Sequence, residues 1–493
     1  MSNLSDLLPA GAGAKSAEFT ADGTLSSGQT VALQSDGTVA PVSLSTATLD
    51  AFEGTFSTSG VSDTSSCISL YNPDTDRIYF FWVQAGYIQY SSGTYNGTSW
   101  TFASPTNTLI ASSSNGGALD AIYDESLSRG FIVYQAGSST VNIRSLSFSG
   151  TTVTFNTDTE TVASNAYDAG IAGDNNNGFV ITWYNTLQLQ SYAKAGIFAT
   201  NNSISMGSDT ALVNDGVGYY SRGRIVYCET PDRYVSVVQN YEGRLVLSII
   251  TRSGTSSTQA GTYTLNDSPT GGHTAIGLSW NEDQQRIYVV WRNSSGYATV
   301  QAATFNGTYT SFTVGTATVV LSTTTENQYA LYKLAYSPDT AETFFPITLS
   351  GSSTTPKYVI LTGTGPTVSS ATNMYSETTI GYVSPTVGET GSGRIYMAIF
   401  GTGTNGGLTA NNGYAATYFG PVSNFADFVG ITDQAIADTA TGAVVVEGGV
   451  TEKVSSLTTG STYYVQDDGT LSTTSSSVTA GKAIATDKLL LKG

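Results

Sequence analysis

Apolar and polar positions along this chain fall into a unit that recurs seven times. Each copy has an apolar strand, a turn rich in Asp, Asn, Pro and Gly, and a second strand that is apolar at nearly every position. The copies begin ISLYNPDTDRIYFFWV at Ile68, AIYDESLSRGFIVYQA at Ala121, AGIAGDNNNGFVITWY at Ala169 and RIVYCETPDRYVSVVQ at Arg224. They continue with IGLSWNEDQQRIYVVW at Ile276, KLAYSPDTAETFFPIT at Lys333 and GYVSPTVGETGSGRIYMAIF at Gly381. The second strands open at Ile78, Phe131, Phe179, Tyr234, Ile287, Phe344 and Ile395, spaced 48 to 57 residues apart. Two weaker alternating runs joined by a turn follow in each unit, as around Asn96-Gly97 and Asn306-Gly307.

Strict alternation marks a half-buried strand, whereas a run apolar on both faces, such as Ile78 to Val83, must be covered by a sheet on each side. Four antiparallel strands in about 50 residues is the size of a propeller blade. A β-helix would repeat in shorter, more uniform coils of about 20–25 residues. The pattern therefore predicts an all-β chain with a β-propeller of about seven blades over residues 49–423, six or eight being the alternatives. Pro346 cannot donate a ladder hydrogen bond, so the sixth second strand is expected to be bulged, edge-like or short. No stretch carries the i, i+3, i+4, i+7 spacing of a long amphipathic helix.

The two ends of the chain carry a different, shared pattern. LSSGQTVALQSDGTV from Leu25 and LTTGSTYYVQDDGTL from Leu457 are identical at seven of fifteen positions: Leu25/Leu457, Gly28/Gly460, Thr30/Thr462, Gln34/Gln466, Asp36/Asp468, Gly37/Gly469 and Thr38/Thr470. An Asp-Gly after an alternating run is a hairpin signal, because both residues tolerate the positive φ of a tight turn. Two copies so far apart predict one small β-barrel or sandwich-like module, built from residues 1–48 and 424–493, with the propeller inserted into it.

Composition narrows the function classes. Charged residues make up 11% of the 493, against about 25% in ordinary soluble chains. Thr, Ser, Asn, 53 glycines and 30 tyrosines supply the polarity, which suits strands and turns. A net charge of −18 repels phosphate backbones and anionic lipid, which argues against nucleic-acid partners and polybasic membrane docking. No run of 18 apolar residues predicts a membrane span, and the N-terminal MSNLSDLLPAGAGAK lacks the apolar core of a secretory signal. Cys67 and Cys228 fall in different repeats and are expected to be buried thiols. The N-x-S/T triplets at Asn96 and Asn306 are expected by chance in so Ser/Thr-rich a chain.

Candidate chemistry is sparse. Acids crowd the turns between first and second strands, often before an arginine: Asp74 and Asp76 before Arg77, Asp232 before Arg233, Glu282 and Asp283 before Arg286. None has calcium-loop spacing. A repeated turn whose Asp caps backbone N–H groups and whose Arg pairs locally is the expected reading. A glycosidase needs two carboxyl groups about 5–9.5 Å apart, and the sequence singles out no pair. A single histidine, His273, excludes a multi-histidine zinc site and lies in a turn without nucleophile-elbow context. The expectation is no catalytic, cofactor or metal residues. Loops around Tyr219-Tyr220 and Tyr414 pair aromatic faces with small polar neighbours, a composition of adaptable binding surfaces.

The last seventy residues resemble a module of tailed-bacteriophage virion proteins, including marine-phage fibre and head-decoration proteins. The matching features are FVGIT, TGAVVVEGGV with Gly448-Gly449, the Asp468-Gly469 hairpin and the closing GKAI…LLLKG. LSDLLPAGAGAK and FTADGTLSSGQTVALQSDGT are similar to the start of the same proteins, so the resemblance covers about 115 residues at both ends. It implies a virion structural protein, assembled in the host bacterial cytoplasm, with capsid or tail proteins as partners and a homo-oligomeric arrangement. The propeller would then be a projecting fibre or decoration domain that attaches to host-surface glycan. Alternatives are a virion-borne polysaccharide-degrading enzyme or a purely architectural capsid cement or tail component.

Overall fold

Second strands that are apolar on both faces require a covering sheet on each side, and a closed ring of sheets supplies one to every blade. A computed structural model describes residues 15–57, 67–111, 119–137, 139–200, 203–213, 224–240, 244–265, 276–324, 333–348, 357–362, 367–374, 380–388, 392–401 and 412–492. The chain divides into two compact units, one of residues 48–420 and one of residues 1–47 with 421–493.

Among the described residues, the larger unit is an all-β propeller of seven sheets. Their first strands are Cys67–Asn72, Leu119–Asp124, Ala166–Gly173, Arg224–Cys228, Ile276–Asn281, Ala335–Ser337 and Ile380–Val387, defining blades 1 to 7. These inner strands neighbour one another in order, and that of blade 7 packs on that of blade 1, closing the ring. Each pairs antiparallel with an apolar second strand: Arg77–Gln84, Arg129–Ala136, Gly178–Asn185, Arg233–Gln239, Arg286–Arg292, Glu342–Ile347 and Arg394–Gly401. All seven repeats read from the sequence occupy this inner pair.

Alternate residues of a second strand pack on opposite neighbours, as the pleat requires. In blade 1, Ile78, Phe80 and Trp82 meet Phe56, Tyr396 and Ala398 of blade 7, while Tyr79, Phe81 and Val83 meet Ile132, Tyr134 and Leu146 of blade 2. Fully burying such a side chain contributes about 1.5–3 kcal/mol, which makes these strands the main source of stability. Blade 6 contains the expected irregularity as a short strand. Pairing with its inner strand stops at Phe344, two residues before Pro346, so the missing N–H falls where no inner ladder continues.

Blade 7 differs from the rest in its outer strand. Gly413–Phe419 pairs with Thr48–Ser57, a strand from the other end of the unit, with Phe419 opposite Thr48. The ring is therefore locked by the first and last strands of the unit lying in one sheet.

The smaller unit holds two five-stranded sheets with one plan. The first has the order Ser16–Thr20, Thr441–Val445, Phe428–Thr432, Thr30–Leu33, Val39–Pro41; the second has Val450–Thr451, Lys488–Leu491, Thr479–Ala485, Thr462–Val465, Leu471–Ser472. Thr30 faces Ile431 and Thr462 faces Lys482; Val31 faces Gly430 and Tyr463 faces Gly481. Both ladders then slip at the next residue, the mark of a bulge at the same position. The hairpins also agree atom for atom. Gln34 and Gln466 each accept from the N–H of Gly37 or Gly469, both glycines at positive φ, and Asp36 and Asp468 each cap the N–H and hydroxyl of Thr38 or Thr470.

This module is thus a tandem duplication of one fold. In the second copy the third strand runs to the fourth through residues 473–478, and in the first copy residues 48–420 stand in the corresponding connection. The duplication sets up an internal control. Gly28 and Gly460 both have positive φ, 79° and 86°, but a Cβ at Gly28 would run into the backbone oxygen of Lys453 whereas Gly460 faces open space. Gly460→Ala is expected to cost about 1–2 kcal/mol for the left-handed backbone alone. Gly28→Ala is expected to cost on the order of 3 kcal/mol or more, because overpacking is added. Urea unfolding of the two variants checks the difference; equal losses would contradict the packing described.

Candidate binding site

The inner strands line a channel, and their two ends carry different chemistry. At the ends of the strands sit the acidic turns. All seven place a left-handed residue just before the second strand or at its first turn residue: Asp76, Ser128, Asn177, Asp232, Gln285, Ala341 and Gly393, with φ between 45° and 62°. The repeated turn is one geometry adopted seven times, by whichever residue stands there.

The turn acids do more than cap their own loops. Tyr123 of blade 2 donates its hydroxyl to Asp74 of blade 1, and Tyr336 of blade 6 donates to Asp283 of blade 5. Asp124 of blade 2 accepts the Asn177 N–H of blade 3 at 3.0 Å, and Asp174 of blade 3 pairs with Arg252 of blade 4. Thr230 of blade 4 donates to Glu282 of blade 5, and Asp339 of blade 6 accepts the Gly393 N–H of blade 7 at 2.9 Å. Blades 7 and 1 meet through Ser69 and Ser384, whose hydroxyl-to-carbonyl bond is 2.7 Å. Every blade junction has such a latch.

This corrects the expected arginine pairing in part. Asp76 and Asp232 accept the hydroxyls of Tyr71 and Tyr227, while Arg233 donates to the backbone oxygens of Pro231 and Asp232. Burial, and then the bonded carboxylate, pushes the phenols of Tyr123, Tyr227 and Tyr336 upward, so they remain protonated donors. A cavity of about 440 Å³ at this mouth is lined by Tyr71, Pro73, Tyr123, Glu125, Asn175 and Pro338, among others.

At the beginnings of the strands lies a smaller cavity of about 170 Å³ with a charged cluster. Asp120 of blade 2 receives the Lys333 ammonium, which leads into blade 6, at 2.9 Å and the Ile171 N–H of blade 3 at 3.2 Å. Arg224, the first residue of the blade 4 inner strand, brings Nη1 to 4.0 Å from the same carboxylate. Burial disfavours the Asp120 charge, but Lys333 and then Arg224 outweigh it and hold the carboxyl below its ordinary value. Burial lowers the Lys333 value, with Asp120 opposing the fall. The Arg224 residue is 8% exposed, and its Nε and Nη2 have no hydrogen-bond partner among the described residues. Aliphatic side chains of Ile171, Ile225, Leu278 and Leu334 form the walls.

Other sequence candidates fall elsewhere. Tyr414 is 6% exposed in the core between blades 6 and 7, on a strand and not in a loop, so it offers no binding face. His273, Tyr219 and Tyr220 lie outside the described residues. Cys67 and Cys228 are buried in separate blades, and burial pushes the Cys228 thiol well up. Burial raises the Glu342 carboxyl, which accepts the Tyr418 hydroxyl at 3.1 Å between blades 6 and 7. Asp120, Arg224 and Lys333 stand in no motif or spacing that marks them as a cluster in the sequence.

No protein-family model and no curated protein matches the chain. Among solved structures, a protein from Lactobacillus plantarum superposes with a TM-score of 0.46 at 11% identity, over 70% of this chain and 99% of that one. A SapL1 lectin in complex with α-methyl fucoside gives 0.42 at 12% identity, over 64% and 99%. The six-bladed fungal lectin of Aleuria aurantia gives 0.43 at 11%, over 63% and 95%. At these scores the likenesses do not bear on what this chain binds.

Proposed function

We propose that the protein is a structural component of a tailed-bacteriophage virion, anchored by its duplicated β-module and displaying the propeller for attachment to host-surface glycan. The observation that carries this reading is the insertion itself. A second copy of the module fold completes the same third-to-fourth-strand connection with residues 473–478, so the propeller is an addition to a module that closes without it. A domain added in that way is suited to display. The resemblance of both terminal segments to virion proteins supplies the particle as the anchor.

Binding without catalysis suits the channel. Two of its carboxylates are committed to partners, Asp120 to Lys333 and Asp74 to Tyr123, and a general acid or base must be able to exchange its proton with substrate. Weak sites on many copies would gain strength through high effective concentration on one particle. A particle carrying protein without residues 48–420 is expected to retain the module in stoichiometric amount and to lose adsorption to host cells. Loss of incorporation would contradict the anchoring role, and undiminished adsorption would contradict the display role.

A further inference from the structure

We propose that the cavity at the acidic-turn mouth of the channel seats an uncharged sugar ring against Tyr71 and Tyr123. The inference rests on the glycan-display reading and specifies where the propeller holds the glycan and which sugar chemistry it takes. All seven blades share one position on the inner strand, next to its last residue before the turn. It is Tyr71, Tyr123, Gly173, Tyr227, Trp280, Tyr336 and Val387 in blades 1 to 7, opposite Ile78, Gly130, Phe179, Tyr234, Ile287, Thr343 and Ile395 of the second strands. Blades 1, 2, 4, 5 and 6 thus carry an aromatic side chain there, and each of these donates to a turn carboxylate: Tyr71 to Asp76, Tyr123 to Asp74, Tyr227 to Asp232, Trp280 to Glu282 and Tyr336 to Asp283. Blades 3 and 7 break the ring of aromatics, and the cavity of about 440 Å³ lies along the arc between the two breaks. Val387, Tyr71, Tyr123 and Gly173, from the successive blades 7, 1, 2 and 3, all line it. At Gly173 the Ile122 Cδ1 stands 2.7 Å from where a Cβ would be, so a short aliphatic chain takes the place of a ring.

The lining suits a sugar. Its volume falls within the ~300–1,000 Å³ of small-molecule pockets. Tyr71 and Tyr123 are half-buried, and the negative face of an aromatic ring attracts the weakly positive C–H bonds of a pyranose. Their bonds to Asp76 and Asp74 fix both rings before a ligand arrives, which spares the cost of ordering them on binding. Glu125 and Asn175 stand exposed on the rim, a carboxylate acceptor and an amide that both donates and accepts, as hydroxyl groups require. Charge then selects among sugars. The described residues that line the cavity include the Glu125 carboxylate and no cation, and Asp74 and Asp76 hold the two phenols. A sugar acid is repelled there, and a neutral ring is not.

The test is calorimetry and ligand-observed NMR on the full-length protein with the methyl glycosides of glucose, galactose, mannose, rhamnose and N-acetylglucosamine, and with glucuronate and N-acetylneuraminate as charged controls. At least one neutral glycoside is expected to bind, and both acids more weakly. Tyr71→Leu keeps an apolar wall but removes one aromatic face, and it is expected to weaken binding about tenfold. Val387→Tyr leaves Tyr71 and Tyr123 in place, gives blade 7 the side chain that four other blades carry, and fills the cavity. It should abolish binding while unfolding at the parent's temperature. The proposal is overturned if no neutral glycoside binds, if the acids bind as tightly, or if either folded variant binds like the parent. Retention of host polysaccharide by the same preparations separates the two readings. Polysaccharide bound equally by parent and variants leaves display standing without this seat, and polysaccharide bound by none removes display as well.

Discussion

A propeller that lacks the strand Thr48–Ser57 is expected to be less stable by about 5 kcal/mol or more, and one in which that strand follows Phe419 is expected to be fully stable. The first part comes from what the strand buries. Phe56 is 2% exposed and stacks on Phe80 with ring centroids 4.3 Å apart, beside Trp82 at 5.6 Å. Removing one buried phenylalanine side chain costs about 3–5 kcal/mol. The lost ladder to Gly413–Phe419 adds about 0.5–1.5 kcal/mol per bond. The second part comes from direction. Thr48 lies opposite Phe419 in an antiparallel pair, so a short turn from Phe419 to Thr48 makes an ordinary hairpin and gives blade 7 its four strands in sequence, as in blades 2 and 4. Urea unfolding of three chains checks both parts: residues 48–420, residues 67–420, and the permuted chain. Equal midpoints for the first two would show that the strand does not close the ring.

The complementary cut is expected to leave a second folded protein. Joining Ala47 to Pro421 gives the β-module without its insertion, and this chain should unfold in one cooperative transition with dispersed amide resonances. The junction is prepared for it. Ser45 donates its N–H to the Val422 carbonyl at 3.0 Å, and the Val422 N–H returns to the Ser45 hydroxyl at 2.8 Å. Asn424 bridges the same two segments, accepting the Ser43 N–H at 2.9 Å and donating to the Pro41 carbonyl at 3.0 Å. Its core of Ala32, Val42, Ile431, Tyr463, Val465 and Leu489, with further apolar neighbours, draws on both sheets. Collapsed amide dispersion or dye-binding of the joined chain would refute independent folding. Gly28→Ala should destabilise it as it destabilises the full protein.

Local pattern made the propeller's inner half legible. The strand from Ile78 needs only its own six apolar residues to declare that both its faces are covered, and each of the other six second strands declares the same. The outer strand of blade 7 is not legible that way, because its partner Gly413–Phe419 is separated from Thr48–Ser57 by the whole ring. The duplicated hairpin was readable from identical residues at turn positions, where backbone geometry restricts the choice. The other strands of the duplication were not, since TGAVV and KLLL share only an apolar character. The charged cluster in the channel has no sequence signature at all. Asp120, Arg224 and Lys333 meet because three alternate blades place the start of an inner strand on one axis, and no spacing along the chain encodes that.

The two buried cysteines give this architecture built-in reporters of how it comes apart. Cys67 opens the inner strand of blade 1 opposite Trp82, in the cluster shared with Phe56 and Ala398 at the lock; Cys228 ends the inner strand of blade 4, packed with Trp280 towards blade 5. A thiol hidden from solvent reacts only during an opening that uncovers it. Breathing at the lock bares Cys67 and leaves Cys228 covered, whereas global unfolding bares both together. The ratio of their alkylation rates therefore records whether the ring unfastens locally before it melts, without a single engineered label.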